Sequence, residues 1–311
     1  MSVMGRTNQF NSLANWHWLV FAILILLFSF VMTPADAAPQ SELIVSPLKE
    51  SSFSARFDGV DHSFILELPT VTDGAPLVFM LPGYGNTAES FRHMVHFEQD
   101  ANMLGYAVAY VTGAQNPDDR TSAVGWNYGV GNNKNDDVSF LTALAIYLQK
   151  AYSFDRSRTF AVGFSNGAFM VHRLAMEAGD TFSAFVSVAG TMPGKIWDSR
   201  KDEHTVSFFQ ITGEKDDVIP KKYDGSAKYA QAPAIEDVMD YWAASNGLNA
   251  CESEEVGRGS LITKYRSEEK MNQVWNLFIK NGRHSWPDEK LSGIDINRLI
   301  IDFFESVSHV S

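Results

Sequence analysis

Thr159-Phe160-Ala161-Val162-Gly163-Phe164-Ser165-Asn166-Gly167-Ala168 reads as a β-strand, a tight turn and the first turn of a helix. The strand half is apolar without alternation, the pattern of a strand covered on both faces. The turn is a G-x-S-x-G. A serine held on a sharp strand-to-helix turn points its hydroxyl out of the sheet, and side chains two residues to either side would collide. Gly163 and Gly167 meet that demand. The stretch therefore predicts a layered α/β fold with Ser165 exposed at the carboxyl end of a central strand.

The flanking sequence continues the same alternation. Strands are expected at His62–Leu68, Leu77–Leu81, Tyr106–Val111, Thr159–Gly163, Phe185–Ala189, Ser207–Thr212 and Val274–Lys280. Helical patterns fall at Thr87–Leu104, Asp137–Tyr152, Asn166–Ala178, Ala234–Asn246 and Ile294–Val307. In the last, Ile296, Leu299, Ile300, Phe303, Phe304 and Val307 form a one-sided apolar stripe. The order implies a mostly parallel central sheet with helices on both faces. Two long segments, Thr112 to Asp136 and Gly190 to Thr205, follow strand ends, where open α/β sheets bind ligands. No repeat or linker interrupts the pattern, so residues 38–311 read as a single domain.

A serine hydroxyl needs a base, and the base needs an acid to orient it. On such a fold the chain order is Ser, Asp or Glu, then His. Four histidines follow Ser165. His172 falls inside the next helix, His204 precedes the best acids, and His309 is in the tail. His284 sits in Gly282-Arg283-His284-Ser285-Trp286-Pro287, a turn directly after the last strong strand. The acid belongs just past Ser207–Thr212, where Glu214, Asp216 and Asp217 stand; spacing does not choose between Asp216 and Asp217, and Glu214 is weaker. An oxyanion would be held by the backbone N–H of Asn166 and by one from Leu81-Pro82-Gly83-Tyr84-Gly85-Asn86, for which Tyr84 is the expected donor.

Composition narrows the partners. The chain has 311 residues, 45% hydrophobic and 20% charged, with a net charge of −12. That surface disfavours nucleic acid, whose phosphates require Lys and Arg, and favours neutral substrates. Residues 1–37 read as a signal peptide: Leu19 to Phe28 is unbroken apolar sequence, Pro34 follows, and Ala35-Asp36-Ala37 offers small residues to a signal peptidase. The mature chain is then expected to start near Ala38, exported and without stable membrane association; an uncleaved anchor is the alternative. The one cysteine, Cys251, is expected to be a small buried residue.

From about His62 to Ile301 the chain resembles the polyhydroxybutyrate depolymerase and feruloyl/acetylxylan esterase group of α/β hydrolases. The resemblance rests on Leu81-Pro82-Gly83-Tyr84-Gly85-Asn86, Ala88-Glu89-Ser90-Phe91, Gly125-Trp126, Asp136-Asp137-Val138 and Gly163-Phe164-Ser165-Asn166-Gly167. Val188-Ala189-Gly190, Gly213, Asp216, Val218-Ile219-Pro220 and Gly282-Arg283-His284-Ser285-Trp286-Pro287 complete it. It implies an α/β-hydrolase fold and assigns the acid to Asp216. Pro82 replaces the histidine usual in that group and Ala168 a glycine. Cys251 matches half of a family disulfide whose other half is absent near Tyr265-Arg266-Ser267.

Together these readings predict acyl transfer through a serine ester by Ser165, His284 and Asp216, with no cofactor and no metal. The resemblance implies an ester of a neutral polymer or its oligomers: a 3-hydroxyalkanoate, or a feruloyl or acetyl group on polysaccharide. Trp126, Tyr128, Phe164 and Trp286 are expected to rim the site as an aromatic surface, with core packing the competing reading. Gly190 to Val206 is too short for a helical lid domain, so the site should be open. Asn132 to Asp137 lacks EF-hand spacing, and Asp136 or Asp137 is expected to cap a helix. A serine peptidase on the same fold and a non-catalytic binding protein are the rival readings.

Overall fold

The computed structural model describes residues 42–308, apart from 116–120, 131–132, 202–203, 220 and 222–231. The expected signal segment, His309 and Asn132 lie outside the described residues. Among these, one sheet of eleven strands forms the framework. Its centre is parallel and runs in the spatial order β5 (Ala107–Thr112), β4 (Leu77–Leu81), β8 (Thr159–Phe164), β9 (Ala184–Val188), β10 (Ser207–Gly213) and β13 (Val274–Ile279). Antiparallel strands extend both sides: β3 (Val60–Glu67), β2 (Ser52–Phe57) and β1 (Leu43–Lys49) beyond β5, β12 (Ser260–Arg266) and β11 (Ala250–Val256) beyond β13.

Every residue of β4, β5, β8, β9 and β10 is buried, which is why their sequences lack alternation. Their side chains still divide by the two-residue period. Leu77, Phe79 and Leu81 join one core layer, whereas Val78 and Met80 join the other. The first layer packs beneath α3 (Asp137–Tyr152), α4 (Asn166–Glu177) and α6 (Ile235–Ser245). The second packs beneath α1 (Ala88–Val95), α2 (Phe97–Met103) and α8 (Ile296–Ser308). Two short helices, α5 (Gly194–Asp198) and α7 (Glu289–Ser292), sit in loops. The expected stripe on α8 is buried at Ile296, Ile300, Phe303 and Phe304, with Leu299 and Val307 packed at its margin.

Three local expectations change. The helix read over Thr87–Leu104 is two helices, because His96 adopts left-handed φ 47°, ψ 31° and turns the chain between Val95 and Phe97. The segment after β5 contains a small hairpin, β6 (Ala114–Gln115) with β7 (Val124–Gly125). Cys251 is exposed rather than buried: it lies on the edge strand β11, whose residues face solvent almost throughout, and its register partner is Tyr265.

Candidate active site

Four segments meet at the carboxyl ends of parallel strands: Pro82–Asn86 after β4, Ser165 after β8, Asp216 after β10 and His284 after β13. Ser165 carries the turn. Its φ of 53° and ψ of −113° are an uncommon conformation for a residue with a side chain, held by a Ser165 N–H bond to the Val188 carbonyl at 3.0 Å.

The nearby side chains form a hydrogen-bonded chain. Ser165 Oγ lies 2.9 Å from His284 Nε2, and His284 Nδ1 lies 2.9 Å from Asp216 Oδ2. A carboxylate only accepts, so Nδ1 carries the proton and Nε2 is left to accept from the serine. Asp216 is positioned in turn: its side chain is 1% exposed, and Oδ1 accepts the N–H groups of Val218 at 2.9 Å and Ile219 at 2.8 Å. Neither other acid faces His284. Asp217 is exposed, and Glu214 accepts the Asn281 N–H at 2.8 Å, tying the acid loop to the start of the histidine loop. The two loops also meet backbone to backbone: the Lys215 N–H donates to the Gly282 carbonyl at 2.7 Å, and a Cβ on Gly213 would lie 2.6 Å from that oxygen.

Asn166 is the first residue of α4, so its N–H has no partner within the helix. The oxyanion loop passes directly against the serine: a Cβ on Gly83 would stand 3.3 Å from Ser165 Cβ. The Tyr84 and Asn166 amides thus belong to segments that converge beside Ser165. Facing them is an open cleft of about 520 Å³, bounded by Tyr84, Asn86, Met94, Phe164, Trp286 and the Ser165–His284 pair. Phe164 and Trp286 form its aromatic wall, with Phe91 behind them at 6.2 and 5.7 Å. Trp286 is fixed by an Nε1–H bond to Asn297 Oδ1 at 3.2 Å.

Trp126 is not on the rim. It is 3% exposed, packs in the core layer under α4, and donates its indole N–H to the Pro82 carbonyl at 3.1 Å. Tyr128, also expected on the rim, is half-buried with its ring 5.0 Å from Phe169 and is not among the residues lining that cleft. Asn86, the end of the expected oxyanion loop, also lines the cleft, as does Met94, whose spacing nothing in the sequence marks.

Burial perturbs titratable groups away from the cleft, Asp137 and His172 among them. Asp136 caps α3 through the Ser139 N–H at 3.2 Å, while Asp137 is buried and accepts the Asn127 N–H at 2.6 Å. Burial pushes the Asp137 carboxyl up to about 7 against the opposing pull of that bond and of Arg173. His172 lies buried in α4 against Phe208, and loss of solvent lowers it to about 3. It stays neutral and away from the cleft. The described residues bring together no group of three metal-ligating side chains.

This strand order, with helices on both faces and a serine elbow at the sheet's carboxyl edge, defines an α/β hydrolase. Comparison with known proteins agrees. The prolyl oligopeptidase family (Peptidase_S9) matches residues 96–243, a span that includes Ser165 and Asp216 and stops short of His284. A protein named as an esterase, NocK, from Nocardia uniformis subsp. tsuyamanensis is 26% identical, over 70% of this chain and 67% of its own length. One named as feruloyl esterase C, from Aspergillus niger, is 30% identical over 34% of this chain and 38% of its own. The acetyl xylan esterase of Aspergillus awamori superposes with a TM-score of 0.56 over 79% of this chain and 94% of its own, at 12% identity. These matches support an α/β-hydrolase fold of the esterase group.

Proposed function

We propose that the protein is an exported serine carboxylic-ester hydrolase working through Ser165, His284 and Asp216. The observation that carries this reading is the unbroken chain of 2.9 Å contacts from Ser165 Oγ through His284 to Asp216. His284 takes the Ser165 proton as Oγ attacks the ester carbonyl. The Asn166 and Tyr84 amides hold the negative oxygen. His284 then protonates the leaving alcohol, and a water activated by the same histidine releases the acid and restores the serine. Asp216 keeps the imidazole in the required tautomer and offsets its transient charge. The apolar run Leu19–Phe28 followed by Ala35-Asp36-Ala37 supports export.

The substrate class favoured is an ester of a neutral polymer or its oligomers, either a 3-hydroxyalkanoate or a feruloyl or acetyl group on polysaccharide. Its supports are the family resemblance, the partial match to the protein named feruloyl esterase C, and an open cleft with an aromatic wall. A second reading, amide hydrolysis, has one specific support, the match to the prolyl oligopeptidase family.

A fluorophosphonate probe should label the wild-type chain and leave Ser165→Ala unlabelled. A panel of methyl ferulate, p-nitrophenyl acetate, hydroxybutyrate oligomers and a peptide anilide then divides the readings. Turnover of the anilide alone would overturn the esterase assignment. An unlabelled wild-type protein would overturn the serine mechanism.

A further inference from the structure

The segment Val124–Asn127 contacts both segments that carry the oxyanion amides, the Pro82–Asn86 loop and the start of α4. Its contacts to them are specific. The Gly85 N–H donates to the Val124 carbonyl at 2.8 Å, and the Trp126 indole donates to the Pro82 carbonyl at 3.1 Å. These two bonds bracket Tyr84. On the other side, the Trp126 backbone N–H donates to Asn166 Oδ1 at 2.8 Å. Between them lies Gly125, where a Cβ would stand 3.0 Å from the Tyr84 ring and 3.2 Å from Asn166 Oδ1, so a larger residue would make one of those side chains give way. The far end is anchored independently. Asn127 donates its N–H to Asp137 at 2.6 Å, and its carbonyl accepts from Arg173 at 2.7 Å.

We propose that Trp126, acting with the Asn166 side chain, is a positioning residue that fixes the distance between the Tyr84 and Asn166 oxyanion donors. The inference rests on the mechanism proposed above. Oxyanion stabilisation depends on donors already aimed at the position the charge will occupy, and the two here come from separate loops. The β4–β8 ladder aligns the two segments only as far as Leu81 and Gly163, and past it each takes a hydrogen bond from a shared neighbour. Trp126 supplies one to each: indole to Pro82, backbone to Asn166. The Asn166 residue works at both ends, its N–H toward the oxyanion and its Oδ1 toward the strap. The indole is buried, so its role is to hold the amides and not to touch substrate.

The test separates positioning from packing. Trp126→Phe keeps an aromatic ring and the backbone bond to Asn166 but loses the bond to Pro82. Asn166→Leu keeps the side-chain shape and its own N–H but loses the acceptor, while Asn166→Asp retains one. For p-nitrophenyl acetate, kcat should fall about tenfold in Trp126→Phe and up to about a hundredfold in Asn166→Leu, with KM little changed. Asn166→Asp should recover part of that loss. The inhibition constant of phenylboronate, whose tetrahedral adduct places an oxygen between the same donors, should rise by matching factors. Lower melting temperatures with kcat and the boronate constant within twofold of wild type in both Trp126→Phe and Asn166→Leu would overturn the inference alone. A wild-type protein that fluorophosphonate fails to label would overturn it together with the mechanism.

Discussion

The backbones of Gly163 and Gly167 are in direct contact across the nucleophile turn. A Cβ on Gly163 would lie 2.7 Å from the Ala168 nitrogen and closer still to the Gly167 carbonyl. A Cβ on Gly167 would meet the carbonyls of Leu81 and Pro82. No flexible side chain is available to yield, since every obstacle is main chain. Gly163→Ala and Gly167→Ala should each remove esterase activity and lower the melting temperature, because the turn must open to admit the methyl group. Circular dichroism melts beside p-nitrophenyl acetate assays check this. Wild-type activity in either variant would mean that the turn has slack the structure does not show.

The acid assignment gives a second prediction. Asp216→Asn should lower kcat by about 10³- to 10⁴-fold, because an amide offers no second acceptor and leaves His284 in the wrong tautomer. The same change at Asp217 should leave kcat within a few-fold of wild type, since that side chain is exposed. Steady-state kinetics on both variants suffice. Reversed behaviour would shift the role by one residue along the loop.

How far the sequence discloses this site depends on whether the deciding contact is local. The elbow is legible because Gly163, Ser165 and Gly167 interact with one another and with adjoining backbone. Asp216 is not fixed by spacing, since Asp217 stands beside it and only the carboxylate's direction separates them. Trp126 illustrates the limit: an aromatic in a Gly- and Asn-rich segment looks the same whether it faces solvent or core. Its partners, Pro82 and Asn166, are distant in the chain. The strands β1, β2, β11 and β12 escape for a different reason. They lie outside the parallel centre, and β11 in particular, with Glu252, Ser253, Glu254 and Glu255, carries no apolar signal.

Asp137 should make stability depend on pH. Its folded-state carboxyl is raised from 3.8 to about 7, chiefly by burial. The folded chain therefore holds this proton more tightly than the unfolded chain between those values. The group's contribution is most favourable below about pH 4 and is lost as pH rises toward 7. Asp137→Asn, which keeps an acceptor for the Asn127 N–H and cannot ionise, should flatten that part of the profile. Relative to wild type, its melting temperature should gain progressively from pH 4 to pH 8. A constant offset between the two proteins across that range would show that Asp137 does not titrate there.

Substrate choice should depend on Trp286. Its ring walls the cleft beside Phe164, 6.4 Å away, while its Nε1–H is tied to Asn297. A bulky aryl or oligomeric ester would lie along this wall, whereas an acetyl group reaches only Ser165 and the oxyanion amides. Loss of such an aromatic contact costs about 1–3 kcal/mol. Trp286→Ala should therefore raise KM for methyl ferulate or hydroxybutyrate oligomers by roughly tenfold to a hundredfold. KM and kcat for p-nitrophenyl acetate should change little. The competing outcome follows from position: Trp286 is two residues past His284, and its loss could shift the imidazole. In that case kcat falls for every ester alike, with no preference by size. Trp286→Phe distinguishes the two, since it restores an aromatic wall but not the bond to Asn297. Recovery of KM for the bulky esters supports the wall, and persistent uniform loss of kcat assigns the residue to anchoring the histidine loop.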